Sequence, residues 1–166
     1  MSDHQQCRSA PRPFVGSMAL LRRIIDEAEE WLAVWDDDSE RYLFPQAERG
    51  DGETYRSCLE AAVATTFGLD QRRDFIISGL SRAHYQAPVD WGDDFPPQWV
   101  IVQFFPVELY GRRGAELIAG NDSLRWLALD EVYRGETRDG ARIAYQQCEL
   151  IRRADLIPPK FVPQAT

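Results

Sequence analysis

The stretch FPQAERGDGETYRSCLEAAVATTFGL, residues 44–69, decides how this chain is read. Pro45 stops a short strand over residues 41–44, because proline cannot donate to a sheet ladder. Residues 46–53 are rich in glycine and charge and read as a loop. Thr54 then caps a helix whose apolar positions Cys58, Leu59, Ala62, Val63 and Thr66 fall at helical spacing. Gly68 stands just past its end, where a left-handed residue closes the last turn.

Working outward from this loop and helix, residues 1–13 are polar, contain Pro11 and Pro13, and form a flexible lead-in. An apolar strand is expected over 14–23, extendable through Ile24 and Ile25, followed by an acidic turn at 26–30 and a second strand over 31–35. Asp36-Asp37-Asp38-Ser39 is a solvated turn, since short polar side chains satisfy local backbone donors. Beyond the helix, residues 74–83 are expected as a strand that includes Phe75, Ile77 and Leu80, and 88–97 as a long loop. Residues 99–110, β-branched and aromatic, form a strand in spite of Pro106. A loop over 111–121, a strand over 124–129 and a helical turn capped by Asp130 follow. Ala141, Ala144, Tyr145, Cys148 and Ile151 mark a final amphipathic helix, ended by Pro158 and Pro159. Strands, helix, strands, helix predict a mixed sheet flanked by helices in one α/β domain over 14–157, with tails at 1–13 and 158–166.

Bulk composition agrees. Hydrophobic residues make up 44% and charged residues 28% of 166 residues, a globular balance with enough length for one core. The net charge of −8 argues against DNA as a partner, because neutralising a phosphate backbone needs clustered Lys and Arg. It leaves room for a small phosphorylated ligand held by a few local cations. Cys7, Cys58 and Cys148 lack paired metal-ligand spacing; two read as buried apolar residues and one as part of the tail. With no secretory segment and no apolar run near the ~20 residues of a membrane span, a reducing cytoplasm is expected.

Residues 44–69 resemble the Nudix signature, G-x5-E-x7-R-E-U-x-E-E-x-G-U, where U is a bulky aliphatic residue. Without a gap, Glu53 matches the first glutamate, Val63 the aliphatic position, Gly68 the final glycine and Leu69 the last aliphatic. Downstream, Trp126-Leu127-Ala128-Leu129-Asp130-Glu131-Val132 is similar to the family's late strand and helical turn, and the last helix lies where the family has its second long helix. The resemblance spans about residues 14–154 and implies an α/β/α sandwich with the mixed sheet between helices. Phe44-Pro45-Gln46, with Arg82, Tyr85, Pro88 and Trp99, is also similar to the branch acting on dinucleoside polyphosphates and RNA 5′ ends.

In that family the box helix presents glutamates one turn apart to Mg²⁺ or Mn²⁺, because a hard cation bridging a diphosphate wants several anionic oxygens. Residues three and four apart share a helix face, so this spacing converges the acids on one cation. Here the arginine position is Ala61, the glutamate positions are Ala62, Thr65 and Thr66, and Ala47 replaces the opening glycine. Of the acids only Glu53 is left, and an acid at a helix start is favoured by the macrodipole in any case. Removing such charge costs several kcal/mol of metal binding, where each ~1.4 kcal/mol is tenfold. Glu60 lies about 200° around the helix from Ala62 and points away from the lost face. A displaced site would draw on Glu53 with Glu48, Asp51, Asp90, Asp93 or Asp94.

Other catalytic routes are poor. His4 is in the tail, His84 reads as a partly buried strand residue, and neither Ser57 nor Ser123 has an identifiable base. The ligand-binding candidates are Tyr85, Trp91 and Trp99, with Phe95 beside them, as a stacking platform, and Arg49 and Arg56 as phosphate contacts. The expectation is a Nudix-like domain without efficient hydrolysis, needing no cofactor, that binds a nucleotide-type ligand or a protein partner, with Glu53 as the one candidate catalytic residue. The alternative is a Mg²⁺- or Mn²⁺-dependent pyrophosphohydrolase of nucleoside diphosphate-linked substrates with a displaced metal site. A third reading is a purely structural or interaction module, its cleft filled by side chains. A homodimer is open under each.

Overall fold

The structure, a computed structural model, describes residues 11–92 and 95–158. Among them eight strands and four helices follow one another: β1 (Phe14–Ile25), β2 (Ala28–Asp36), β3 (Arg41–Leu43), β4 (Gln46–Glu48), α1 (Ser57–Phe67), β5 (Phe75–Ile77), β6 (Ala83–Val89), β7 (Gln98–Leu109), α2 (Arg113–Ala119), β8 (Leu124–Ala128), α3 (Leu129–Arg134) and α4 (Tyr145–Arg153).

The long strand β1 organises the sheet. Its first part runs parallel to β7, with Phe14 opposite Val100 and Leu21 opposite Val107, and antiparallel to β4. Its last part pairs antiparallel with β2, which also carries β3 and β8. The free edge of β7 takes β6 along its first part and β5 along its last. The sheet is therefore mixed. Side chains alternate across a strand, so Met18 and Leu20 enter one core with Trp31, Val132, Cys148 and Ile151, while Ala19 and Leu21 enter the other with Leu59, Val63, Phe67 and Ile118. Helices α1 and α2 thus cover one face and α3 and α4 the other, an α/β/α sandwich.

Several local expectations change, the first being that residues 46–48 of the expected 46–53 loop form β4, which pairs with β1. The acidic turn shrinks to Asp26-Glu27, both at positive φ (50° and 65°), and Ile25 pairs directly with Ala28. Such a two-residue loop matches the twist of the flanking strands, which outweighs the cost of placing non-glycine residues there. The expected strand over 74–83 keeps only Phe75–Ile77; the chain bends away at Ser78–Ser81, and Leu80 is 81% exposed. The start of the expected 88–97 loop is strand: Pro88 stands in β6 opposite Trp99, tolerated because β6 pairs on one side only. The 111–121 loop contains α2, too short and with too few buried positions (Gly114, Ile118) to display a period. The cap of α3 is not Asp130 but the half-box made by Glu131, whose buried carboxylate accepts the Ala128 N–H at 2.8 Å. Ala141 and Ala144 precede α4, because Ile143 bridges Tyr42 in parallel and holds this segment extended. Tyr145 is consequently 56% exposed rather than buried.

Cys58 and Cys148 are buried free thiols, as expected, and Cys7 lies outside the described residues. No helix among the described residues is long and apolar enough to cross a membrane.

Candidate functional site

The box loop is built on a close backbone approach. Antiparallel pairing of β4 with the start of β1 sets Gly16 opposite Glu48, where a Cβ on Gly16 would lie 2.1 Å from the Ala47 carbonyl oxygen. Arg49 N–H then donates to Val15 O at 2.9 Å, and the chain turns through Gly52 at φ 77°. Thr54 and Ser57 close the start of α1 reciprocally: Ser57 N–H donates to Thr54 Oγ1 and Thr54 N–H to Ser57 Oγ, each at 2.9 Å. Gly68 ends α1 in the left-handed region at φ 67°. The C-terminal end matches the reading at Gly68, whereas the α-helix begins at Ser57 with Arg56 at its N-cap, so Thr54 stands in the turn before it and not as the cap.

Glu53 belongs to no group of metal-ligating side chains among the described residues. Glu53 Oε2 accepts the Gly50 N–H at 2.7 Å, a bond internal to the turn. On α1 the family's glutamate positions carry Ala62, Thr65 and Thr66. Of the alternative acids, Glu48 pairs with Arg12 and Asp90 accepts the Gly92 N–H at 3.0 Å, while Glu60, read as pointing away, pairs with Arg56 at 3.4 Å. Asp93 and Asp94 lie outside the described residues. Among the described residues, no group of three or more His, Cys, Asp or Glu is placed to hold a metal ion. The donor set does not fit a divalent cation bridging a diphosphate, which needs several convergent carboxylates.

Beside the box, the Arg49 guanidinium stacks 4.5 Å from the centroid of Tyr55, and Tyr55 meets His84 edge-on. His84 is exposed rather than partly buried, with Nδ1 3.1 Å from Gln103 Nε2. Arg56 is committed to backbone, donating to Ile77 O at 2.9 Å and to Ser78 O at 3.2 Å. These carbonyls sit where the chain leaves β5.

One concavity lies across the sheet from α1. A cavity of about 510 Å³ opens where the starts of β1 and β7, the end of β3, β4 and the first turn of α4 converge. Its apolar walls include Phe14, Leu43, Trp91 and Val100, and Gln46 and Tyr145 bring polar groups to it. Trp91 is steered by a bond from Nε1 to Gln98 Oε1 at 3.0 Å, and Gln98 Nε2 in turn donates to Arg12 O at 2.7 Å. Gln147 is clamped to Phe44 by two hydrogen bonds and donates to Gln46 Oε1 at 3.2 Å, which orients that amide at the cavity wall. Size and composition suit a flat, partly polar ring.

Of the five ligand-binding candidates, only Trp91 lines this cavity. Tyr85 packs half-buried on the core with its hydroxyl 3.4 Å from Arg153, and Trp99, 41% exposed, is outside the lining with Phe95. Alternation explains Trp99: Gln98 and Val100 of β7 line the cavity, so the residue between them points to the other face. Phe14 and Tyr145 were missed. The available signals were an aromatic opening the first strand and an aromatic at the start of the last helix.

No family model matches this sequence, and no curated protein matches it. Solved structures do. The NUDIX domain of Shewanella oneidensis NrtR complexed with ADP ribose superposes with a TM-score of 0.53 at 12% identity, over 94% of this chain and 98% of that one. RenU, a Nudix hydrolase from M. smegmatis, gives 0.53 at 14% identity over 90% of each chain. The C. elegans Ap4A hydrolase gives 0.51 at 11% identity, over 86% of this chain and 98% of that one. At such identities the likeness speaks for architecture, and it agrees with the loop-to-helix box, the mixed sheet and the helices on both faces: the chain is a Nudix-fold protein.

Proposed function

We propose that this protein binds a nucleotide-type ligand in the Phe14–Trp91–Tyr145 cavity and lacks efficient metal-dependent hydrolysis. The observation that carries the reading is a formed, aromatic-walled cavity of about 510 Å³ in the same domain as a box helix bearing Ala62, Thr65 and Thr66 in place of carboxylates. Stacking on an aromatic wall needs no metal, whereas attack on a diphosphate at a Nudix box does. Two of the fold neighbours support the ligand class: one is an Ap4A hydrolase and another holds ADP ribose. Within this reading Trp91 is a ligand contact, and Arg49, exposed beside the box on its stack with Tyr55, is a cation within the loop that follows β4. Arg56, held by backbone carbonyls, and Tyr85 and Trp99, outside the cavity lining, are left with structural roles. DNA is not the proposed partner, on the net charge of −8.

The test has two halves. Purified protein is incubated with Mg²⁺ or Mn²⁺ and dinucleoside polyphosphates, ADP-ribose or capped RNA, and the products are followed by chromatography. Turnover that Glu53→Gln abolishes would overturn the non-catalytic reading in favour of a displaced metal site. A thermal-shift screen of the same compounds in EDTA then asks for binding, since a ligand specific to the folded state raises its stability. No shift with any of them favours an interaction module instead.

A further inference from the structure

A second cavity, of about 560 Å³, adjoins the first, and Arg41 and Tyr145 line both. Its character is different. Arg41, Arg134, Arg142 and Arg152 surround it, with Glu136 as the one carboxylate in the lining. In a chain of net charge −8, four guanidinium groups about one hollow are not what an even spread of charge would give.

The backbone forces two of them together. Tyr42 and Ile143 form a parallel bridge, with Tyr42 N–H donating to Arg142 O and Ala144 N–H donating to Tyr42 O, each at 2.9 Å. The residues one step earlier on each segment, Arg41 and Arg142, are therefore neighbours across the bridge. Like charges set side by side on paired strands destabilise the pairing unless an anion lies between them. Arg41 donates Nε to the Ser39 carbonyl at 3.1 Å, and Arg142 stands opposite Glu136 across an antiparallel bridge, though neither arginine enters an ion pair among the described residues. The other two are steadied but not fully neutralised. Arg134 faces Asp130 at 3.7 Å, and Arg152 donates to Tyr133 O at 2.6 Å and to Glu149 at 2.9 Å. Cys148, a lining residue whose side chain is fully buried, has its thiol pushed up to about 12 by burial and adds no negative charge there.

We propose that this arginine pocket is a phosphate site that holds the charged end of a nucleotide whose base occupies the neighbouring aromatic cavity. The proposal rests on the reading of that cavity given above. All four arginines lie outside residues 44–69, so the phosphates are held without the box and without a divalent cation. Guanidinium groups suit the task because their planar donors match phosphate oxygens in pairs. Charge removed from the box helix is thus replaced, with opposite sign and without metal, on the far side of the cavity.

The experiment is calorimetric titration in EDTA with the four common nucleosides, their 5′-diphosphates and inorganic diphosphate, using wild type, Arg142→Gln and Arg41→Gln. Arg142 is exposed and its carbonyl, not its side chain, makes the bridge, so the variant folds; thermal unfolding checks this. The expected result is that at least one 5′-diphosphate binds about tenfold or more tighter than its nucleoside, as charge-assisted hydrogen bonds warrant. Arg142→Gln removes that margin while nucleoside affinity holds, and Arg41→Gln weakens both. Nucleosides that bind while the phosphates add nothing, or diphosphates that bind Arg142→Gln as tightly as wild type, overturn the phosphate site and leave the aromatic cavity standing. Inorganic diphosphate that binds wild type but not Arg142→Gln, with no nucleotide binding, upholds the phosphate site and overturns the nucleotide reading. Binding by none of the probes overturns both.

Discussion

Gln147 holds both backbone polar groups of Phe44: the side-chain Oε1 accepts the Phe44 N–H at 2.8 Å and Nε2 donates to the Phe44 carbonyl at 2.9 Å. The amide from α4 acts as a one-residue strand, supplying the ladder partner that β3 lacks where it ends before Pro45. Phe44 is buried and so is Gln147, so water offers no substitute for these bonds. Gln147→Leu is expected to destabilise the fold by about 2–6 kcal/mol, from two buried backbone groups left unpaired at ~1–3 kcal/mol each. Urea unfolding followed by tryptophan fluorescence measures it. Gln147→Glu, which can accept but not donate, is expected to retain part of the loss. A leucine variant as stable as wild type would contradict this clasp.

The approach of Gly16 to Ala47 makes a second test. Any side chain at 16 meets backbone, not a flexible side chain, since its Cβ falls 2.1 Å from a carbonyl oxygen. Gly16→Ala is expected to cost roughly 1–3 kcal/mol or more, as overpacking does. Hydrogen exchange should localise the damage to β4 and the 49–53 turn, with β7 still protected. Uniform loss of protection would show that β4 is not where the strain falls.

Asp74 gives a pH dependence. The Asp70 N–H, bonded to its Oδ2 at 2.8 Å, holds the carboxyl below the usual range against the opposing effect of burial, and the Arg113 guanidinium adds to the lowering. A depressed carboxylate contributes stability that is complete above its unfolded value of about 3.9 and is lost as pH falls through the lower folded value. Thermal unfolding of wild type and Asp74→Asn from pH 7 to pH 2 should show a constant gap down to about pH 4, closing below it. A gap unchanged at pH 2 would place the contribution in packing and not in charge.

Trp91→Ala is expected to lower affinity for the nucleosides and nucleotides of the titration by about tenfold, the usual worth of a base stacked on an aromatic ring. Circular dichroism should be unchanged, because Trp91 sits at the edge of its core cluster. Trp99→Ala, outside the cavity lining, is expected to leave affinity as it was. The two variants behaving alike would point to a platform on the other face of β7.

Cys148 is fully buried and its thiol is pushed up to about 12, so thiol reagents at pH 8 should modify it only through unfolding. Labelling followed by mass spectrometry across a urea series should track global unfolding. Rapid modification in the absence of denaturant would mean that α4 opens locally.

Much of the box was legible in residues 44–69. Gly68 ends α1 as read, because left-handed closure is chemistry of neighbouring residues, while the helix starts at Ser57 and not directly after Thr54. The interior positions Cys58, Leu59 and Val63 are buried as their spacing implied. Where local signal is thin, the reading fails for definable reasons. Helix α2 buries two residues and shows no period; β6 hides behind Pro88, which only an edge position permits; Ala141 and Ala144 mimic helical spacing in a segment that pairs with Tyr42 instead. Trp91 and Trp99 look alike in sequence, yet the pleat of β7 turns Trp99 away from the cavity that Trp91 lines.

The sequence by itself determined the helix over residues 57–67 and that Ala62, Thr65 and Thr66 stand where the signature it resembles carries glutamates, since identity at a position needs no contacts to be known. Tertiary structure alone decided that Phe14, Gln46, Trp91 and Tyr145 share one cavity and that Arg41 stands beside Arg142. Those meetings depend on strand pairing and register across most of the chain, and a shift of one residue in register would turn each side chain to the opposite face of the sheet.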